Sequence, residues 1–329
     1  SGESRWRVHE LLRRSIRSHH PEAVAANNGL LAKYYDDLIR INPNHDSARI
    51  DAVYHAINHR RSTGIDRWLR SFEFGMEFAR YTTVCDPLMN LIPGISHDSY
   101  SELWRIYVAK GECETLRSRY PQAIESYSSA ATLLAESNHS ENPVHLKNMG
   151  VILRYKGDLE RRISRYTDAA VSYHDSVKAF EELISYSGGS IEIRTDRALA
   201  NTRECSMLKR LSSYSDALDR IEDAIDEFKA LVRLTPNDAH LLGKLNAALK
   251  MQSEIYLHVS QHSQALASER AAALVLSHAL DIDPTSPLLH SRMGNQLRLR
   301  GRIEEALKQP NEALNSYGSA IEAFDAALR

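Results

Sequence analysis

Glycine and proline are scarce in this chain of 329 residues, at 14 and 10 respectively. Both interrupt helices, glycine through its backbone freedom and proline through its missing N–H, so their scarcity favours long helices. Cysteine occurs three times, at Cys85, Cys113 and Cys205. An odd, widely spaced set excludes a disulfide framework and fits a reducing, cytosolic setting. No stretch reaches the roughly 18 apolar residues of a membrane-spanning helix, and no secretory signal opens the chain. Neither sign of charge dominates: 41 Lys and Arg stand against 43 Asp and Glu, which gives no bulk electrostatic reason for a nucleic-acid partner. Catalytic signatures are missing too. There is no Walker-type phosphate loop, GxGxxG, CxxC, HExxH or Gly-x-Ser-x-Gly elbow, so neither an enzyme nor a cofactor is expected.

What the chain does have is recurrence. The strings beginning at Tyr107, Leu153 and Leu297 are related, and two weaker copies lie between them. Aligned on Ala123, Ala169, Ala217, Ala265 and Ala313, the copies are spaced by 46, 48, 48 and 48 residues. Offsets below count from this anchor alanine. At −12 stand Gly111, Gly157, Cys205, Ser253 and Gly301, and at +7 Ala130, Ser176, Ala224, Ala272 and Ala320, all of them small. At −3 stand Tyr120, Tyr166, Tyr214, His262 and Pro310. Self-similarity at this period marks a repeat array. Thr167, Ser215, Ser263 and Asn311 at −2 can cap a helix starting near the anchor, and Pro121 is tolerated in a first turn. The small residues let this helix B approach a preceding helix A, with the −3 residue wedging the turn. Each unit is thus a helical hairpin whose apolar face is buried by stacking on its neighbours.

This pattern resembles the tetratricopeptide repeat family. That family places a small residue late in helix A, an alanine twelve residues on, an aromatic four later and another alanine three further. Tyr127, Tyr173 and Tyr317 supply the aromatic, whereas Ile221 and Glu269 depart from it. A shifted frame, Ala272, Leu276, Ala279 and Pro284, fits the fourth copy equally well. The early aromatic of helix A is missing in most copies. The period exceeds the ~34 residues usual for the family, so helices longer by a turn or two are expected. The resemblance covers Ile95 to Arg329. It implies an all-α, right-handed superhelical α-solenoid and a binding role without chemistry.

The remaining segments complete seven expected hairpins. Arg5 to His19 reads as an amphipathic helix, with Val8, Leu11, Leu12 and Ile16 on one face and Arg5, Arg7, Arg13, Arg14 and Arg17 beside it. It suits either a solenoid cap or an anionic or membrane surface. Glu22 to Arg40, Ser47 to Arg61 and Ile65 to Thr82 follow as helices. Val84 to Asp98, with Pro87, Pro93 and Gly94, reads as an irregular connector and a possible pivot. The expected organisation is therefore degenerate hairpins over 1–95 and five repeats at 96–140, 141–187, 188–235, 236–283 and 284–329.

In the solenoid that the resemblance implies, helix A lines the concave surface, and partner-binding residues recur there at fixed offsets. The candidates are Arg154, Asp158 and Arg161 in the second copy, Thr202 and Lys209 in the third, Lys250 and Glu254 in the fourth, and Asn295, Arg298 and Arg302 in the fifth. This set leans basic. It points to an acidic protein or peptide partner, because arginine forks pair with carboxylates, or else to charges paired internally with Asp158 or Glu254. The chaperone-tail clamp of some relatives is not expected, because its slots hold Val108 and Glu112, then Arg154 and Asp158. His55 and His59 sit four apart on one helix, but without a third ligand nearby a metal site is not expected.

The sequence thus favours a scaffold or adaptor that binds a protein or peptide. Two further readings stand beside it. The start at Ser1-Gly2 rather than Met leads us to expect further sequence in the natural protein, which would suit the ligand-sensing end of a larger bacterial-type signalling or STAND-like NTPase protein. The arginines of the first helix and the groove allow an RNA-binding helical repeat.

Overall fold

A computed structural model describes residues 20–92, 102–136 and 142–328. The expected helix at Arg5 to His19 and the Pro93–Gly94 part of the connector lie outside these residues. Every regular element among those described is helical, with no strand, and none of these helices is long and apolar enough to cross a membrane. The chain forms two compact units, residues 1–140 and 141–329, so the copy at 96–140 falls with the first unit. The first unit contains α1 (Pro21–Ile41), α2 (Asp46–His59), α3 (Arg61–Glu77), a π-helical turn (Tyr81–Cys85), α4 (Asp86–Met89), α5 (Leu103–Leu116) and α6 (Tyr120–Glu136). The second holds four hairpins, α7 (Pro143–Arg162) with α8 (Tyr166–Ser187), α9 (Ile191–Arg210) with α10 (Tyr214–Leu234), α11 (Ala239–His258) with α12 (His262–Ile282), and α13 (Pro287–Ala306) with α14 (Pro310–Ala327). This is the all-α, TPR-like hairpin array expected.

The hairpin turn is built from the backbone, not from a side-chain cap. At −5 every copy places a residue in the left-handed region: Ser118, Ser164, Ser212, Ser260 and Lys308, with φ between 58° and 63°. The next residue then reaches back into helix A, as Arg165 N–H does to the Glu160 carbonyl at 2.8 Å and Gln309 N–H to Glu304 at 2.9 Å. This is the Schellman closure, which satisfies carbonyls left over at a helix end. Helix B consequently starts at −3, on Tyr166, Tyr214, His262 and Pro310, and has no side-chain cap. The expected caps Thr167, Ser215, Ser263 and Asn311 lie inside its first turn. Side-chain caps appear instead at the entry to helix A: Asn142 accepts from Val144 N–H, Ser190 from Ile193 N–H, and Asp238 from His240 and Leu241 N–H.

Close approach of the two helices follows from the small residues. A Cβ added at Gly157 would lie 2.7 Å from the Tyr173 ring, and one at Gly301 would lie 2.6 Å from Tyr317. Each of the five copies also contains a polar bridge between its two helices, always ending at +3. Ser126 donates to Glu114 at 2.8 Å, Ser172 to Glu160 at 2.6 Å and Ser316 to Glu304 at 2.6 Å. In the fourth copy Ser268 donates to Gln252 at 2.8 Å, and in the third Arg220 pairs with Glu204 at 3.3 Å. The glutamates of these bridges are buried.

Stacking buries the rest. Ile221, Phe228 and Leu231 of α10 pack with Leu245, Leu249 and Ile255 of α11 in one apolar cluster. On α14 and at its C-terminal cap, the residues at +1, +8 and +15, Leu314, Ile321 and Leu328, are exposed, whereas Leu218, Ile225 and Val232 at the same offsets of α10 join that cluster.

The first unit departs most from expectation. Val84, Cys85 and Leu88, placed by sequence in an irregular connector, are fully buried with Trp68 and Phe72, and the Trp68 indole donates to the Leu88 carbonyl at 2.9 Å. Val84, Cys85, Leu88 and Ile92 of that segment are therefore core. Its origin is visible in the turn: Ala79 has φ 52°, and Arg80 N–H reaches the Gly75 carbonyl at 2.7 Å. This is a sixth copy of the hairpin turn, with helix B reduced to the π-turn and α4. Cys85 and Cys113, distant in sequence, meet in this core. The Cys85 thiol donates to the Phe72 carbonyl at 3.9 Å, and the neighbouring Cys113 thiol together with burial pushes the Cys85 pKa up.

A left-handed conformation costs a non-glycine residue about 1 kcal/mol. Ser212→Gly is therefore expected to raise the unfolding free energy of the second unit by about 1 kcal/mol in urea titrations, and Ser212→Val to lower it by at least as much. Glu269 gives a pH prediction. It replaces the +4 aromatic and is fully buried, with Arg300 3.9 Å away. Burial holds its pKa at about 7, against an ordinary 4.5; Arg300, the Gln296 side chain and Arg270 oppose the rise and Glu304 adds to it. The folded state then binds a proton that the unfolded chain releases, so this contribution is full below pH 4.5 and is lost as pH rises through 7. Stability is expected to fall by roughly 2–3 kcal/mol between pH 5 and 8 from this group, and Glu269→Gln should flatten the fall.

Candidate functional site

The A helices α7, α9, α11 and α13 recur at about 48-residue intervals, so equal offsets bring side chains of successive hairpins side by side. Offsets −15, −11 and −8 hold most of the residues selected from sequence. The structure brings several of them into ladders that run from one A helix to the next. Asp158 of α7 accepts from Arg203 of α9 and from the Tyr173 hydroxyl, the latter at 2.7 Å. Burial and then Asp158 push the Tyr173 phenol pKa up. Lys209 of α9 donates to Glu254 of α11 at 2.6 Å, and Lys250 lies 3.9 Å from the same carboxylate.

Arg154 has a largely covered side chain, 13% exposed, with Asp196 at 3.8 Å and the Tyr155 ring centroid at 5.0 Å. Lys244 of α11 stands near this pair. Burial lowers its pKa, partly offset by Asp196 and Asp238, and Arg154 lowers it further.

The other selected residues behave differently. Thr202 turns to its own helix and donates to the Ala198 carbonyl at 2.8 Å. Asn295 donates to Ser291 O at 3.0 Å and accepts from Arg298 at 3.1 Å. Arg161, Arg298 and Arg302 remain exposed. The internal pairing that the sequence allowed thus engages Asp158, Lys209, Lys250 and Glu254, and Arg154 finds Asp196. Arg203, Asp196 and Lys244 were missed because their partners lie in other repeats at different offsets: −14 for Arg203 against −11 for Asp158, and −21 for Asp196 against −15 for Arg154. A search for opposite charges 45 residues apart would have found Asp158–Arg203 and Lys209–Glu254.

The histidine pair serves packing. His55 bonds Asn28 at 2.8 Å and stacks on Tyr35, and His59 bonds the Ala25 carbonyl at 2.7 Å. Among the described residues no three His, Cys, Asp or Glu side chains gather as a metal site.

No protein-family model matches the chain, and no curated protein matches it. Solved structures do. BtubC (BKLC) from P. vanneervenii superposes with a TM-score of 0.51 at 15% identity, over 80% of this chain and 90% of that one. A MamA protein gives 0.41 at 15% identity, over 68% and 93%. MamA from Desulfovibrio magneticus RS-1 gives 0.37 at 17% identity, over 68% and 97%. The first of these supports the fold of the array.

Arg203 and Asp158 are about a third exposed, so solvent screening limits the strength of their pair. A double-mutant cycle of Asp158→Ala and Arg203→Ala is expected to give a coupling of about 1 kcal/mol in urea unfolding. Tyr173→Phe should remove part of that coupling.

Proposed function

We propose that this chain is a non-catalytic protein-recognition module, a scaffold or adaptor that receives a protein or peptide partner along the A-helix face of residues 141–329. The observation that carries this reading is the register of that face. Four successive A helices present polar side chains at common offsets, and cross-repeat pairs hold the centre of the face in fixed conformations. Preorganised side chains lose less entropy on binding. Around this centre the guanidiniums of Arg161, Arg298 and Arg302 are exposed. Arginine is suited to planar, bidentate contact with carboxylates, which favours an acidic partner. The engaged residues Asp158, Lys209 and Glu254 shape the surface, and the three exposed arginines are its contacts.

The test is affinity capture from lysate with mass-spectrometric identification, comparing the native chain with Arg161→Glu, Arg298→Glu and Arg302→Glu combined. A partner held by the native chain and lost by a variant with an unchanged melting curve is the expected result. A partner held equally by both would remove the A-helix face from the proposal.

A further inference from the structure

The first unit contains a trough that none of the candidate residues reaches. It runs between α1 and α3 above α2 and comprises two adjoining cavities of about 340 and 330 Å³. Its floor is made of Ala52 and Ala56, both buried. Arg67 lines both cavities and lies across the trough, donating to Asp36 at 2.6 Å and to the Ala32 carbonyl at 3.4 Å. That pair is internally neutral. The other charged groups lining the cavities are cations: Lys33 in the first, Arg49 and Arg70 in the second.

These cations are poorly neutralised by the protein. Lys33 is exposed and makes no hydrogen bond or ion pair among the described residues. Arg70 has one long bond, to its own helix at Asp66 O, 3.4 Å. Arg49 lies over the Phe74 ring at 3.8 Å and gives one N–H to Pro43 O, but its buried Nε–H meets no acceptor. Burial lowers the Arg49 pKa, Asp46 opposes that, and the nearby Arg80 lowers it further. A cationic trough with an orphaned donor favours an anionic occupant.

We infer that this trough binds an extended acidic peptide segment. Its length sets the size. The lining on α1 runs from Ala26 to Ile39, roughly 20 Å at 1.5 Å per helical residue. An extended chain rises about 3.3 Å per residue, so the trough accommodates about six residues. The alanine floor leaves room for a backbone, and the cations along the walls meet carboxylates. The site is independent of the A-helix face of the second unit.

The probe is a fluorescein-labelled octapeptide of alternating Glu and Ser, titrated into the full chain by fluorescence anisotropy at low and high salt. A Lys–Ser octapeptide serves as control. Saturable binding of the Glu peptide alone, weakening as salt screens the charges, is the expected result. Lys33→Glu and Arg70→Glu should each weaken it at least fivefold. Both positions are exposed, so their folding is checked by melting curves. The Arg161, Arg298 and Arg302 triple variant should bind the peptide as the native chain does, which separates this site from the proposed A-helix face. Absence of saturable binding, equal affinity in native and variant chains, or competition by inorganic phosphate or an oligonucleotide at lower concentration than unlabelled peptide would each overturn the inference.

Discussion

The close contact between the two helices of a hairpin is the constraint on which the rest of this structure depends. At Gly157 and Gly301 the absence of a side chain lets a tyrosine ring lie directly on the facing backbone. The Schellman turn at −5 delivers helix B at the angle that makes this possible. Only with that joint fixed does each hairpin present a continuous apolar face, and only then do successive A helices fall into step. Where the joint is altered the hairpin keeps its shape by other means. Cys205 and Ile221 belong to one buried apolar cluster, and Ser253 donates to the Ala265 carbonyl at 2.7 Å.

Much of this was legible in the sequence, because helical periodicity and small-residue offsets repeat on the same scale as the hairpin. Ala123, Ala169, Ala217, Ala265 and Ala313 located every helix B of the five copies. The start of those helices lies two residues earlier than expected because the turn is closed by backbone bonds, and Thr167 or Ser215 then has no cap to provide. The polar bridges at +3 escaped notice because their partners alternate between −9 and −13, so no single column of the alignment carries them. The stub after α3 escaped for a different reason. Its helix B is so shortened that Pro87 dominates the local pattern, while the burial of Val84 and Leu88 depends on Trp68 and Phe72, contacts that no local window contains.

The charged residues of the A-helix face show a similar division. Offsets along one helix can be read from sequence, but the pairing of Asp158 with Arg203, or of Lys209 with Glu254, is set by the stacking of adjacent repeats. Such pairs contribute little to stability when partly exposed. Their larger effect is to hold long side chains in one conformation, so that the face is presented as a defined surface. In the first unit the cations of the α1–α3 trough are left without such neutralisation. The contrast is local: Asp158, Arg203, Lys209 and Glu254 find partners in adjacent repeats, whereas Lys33 and Arg70 of the trough have no carboxylate partner among the described residues.

The bridges between Glu114 and Ser126, Glu160 and Ser172, and Glu304 and Ser316 also act as index pins. An apolar interface between two helices tolerates sliding, since one methyl group can replace another with little change in energy. A buried carboxylate does not tolerate it: displaced by one turn from its serine, it loses its hydrogen bond, at a cost of a few kcal/mol. Axial slippage in these hairpins is thereby penalised at a single position. Small register errors consequently do not accumulate along the array, which keeps side chains 45 residues apart within reach of one another.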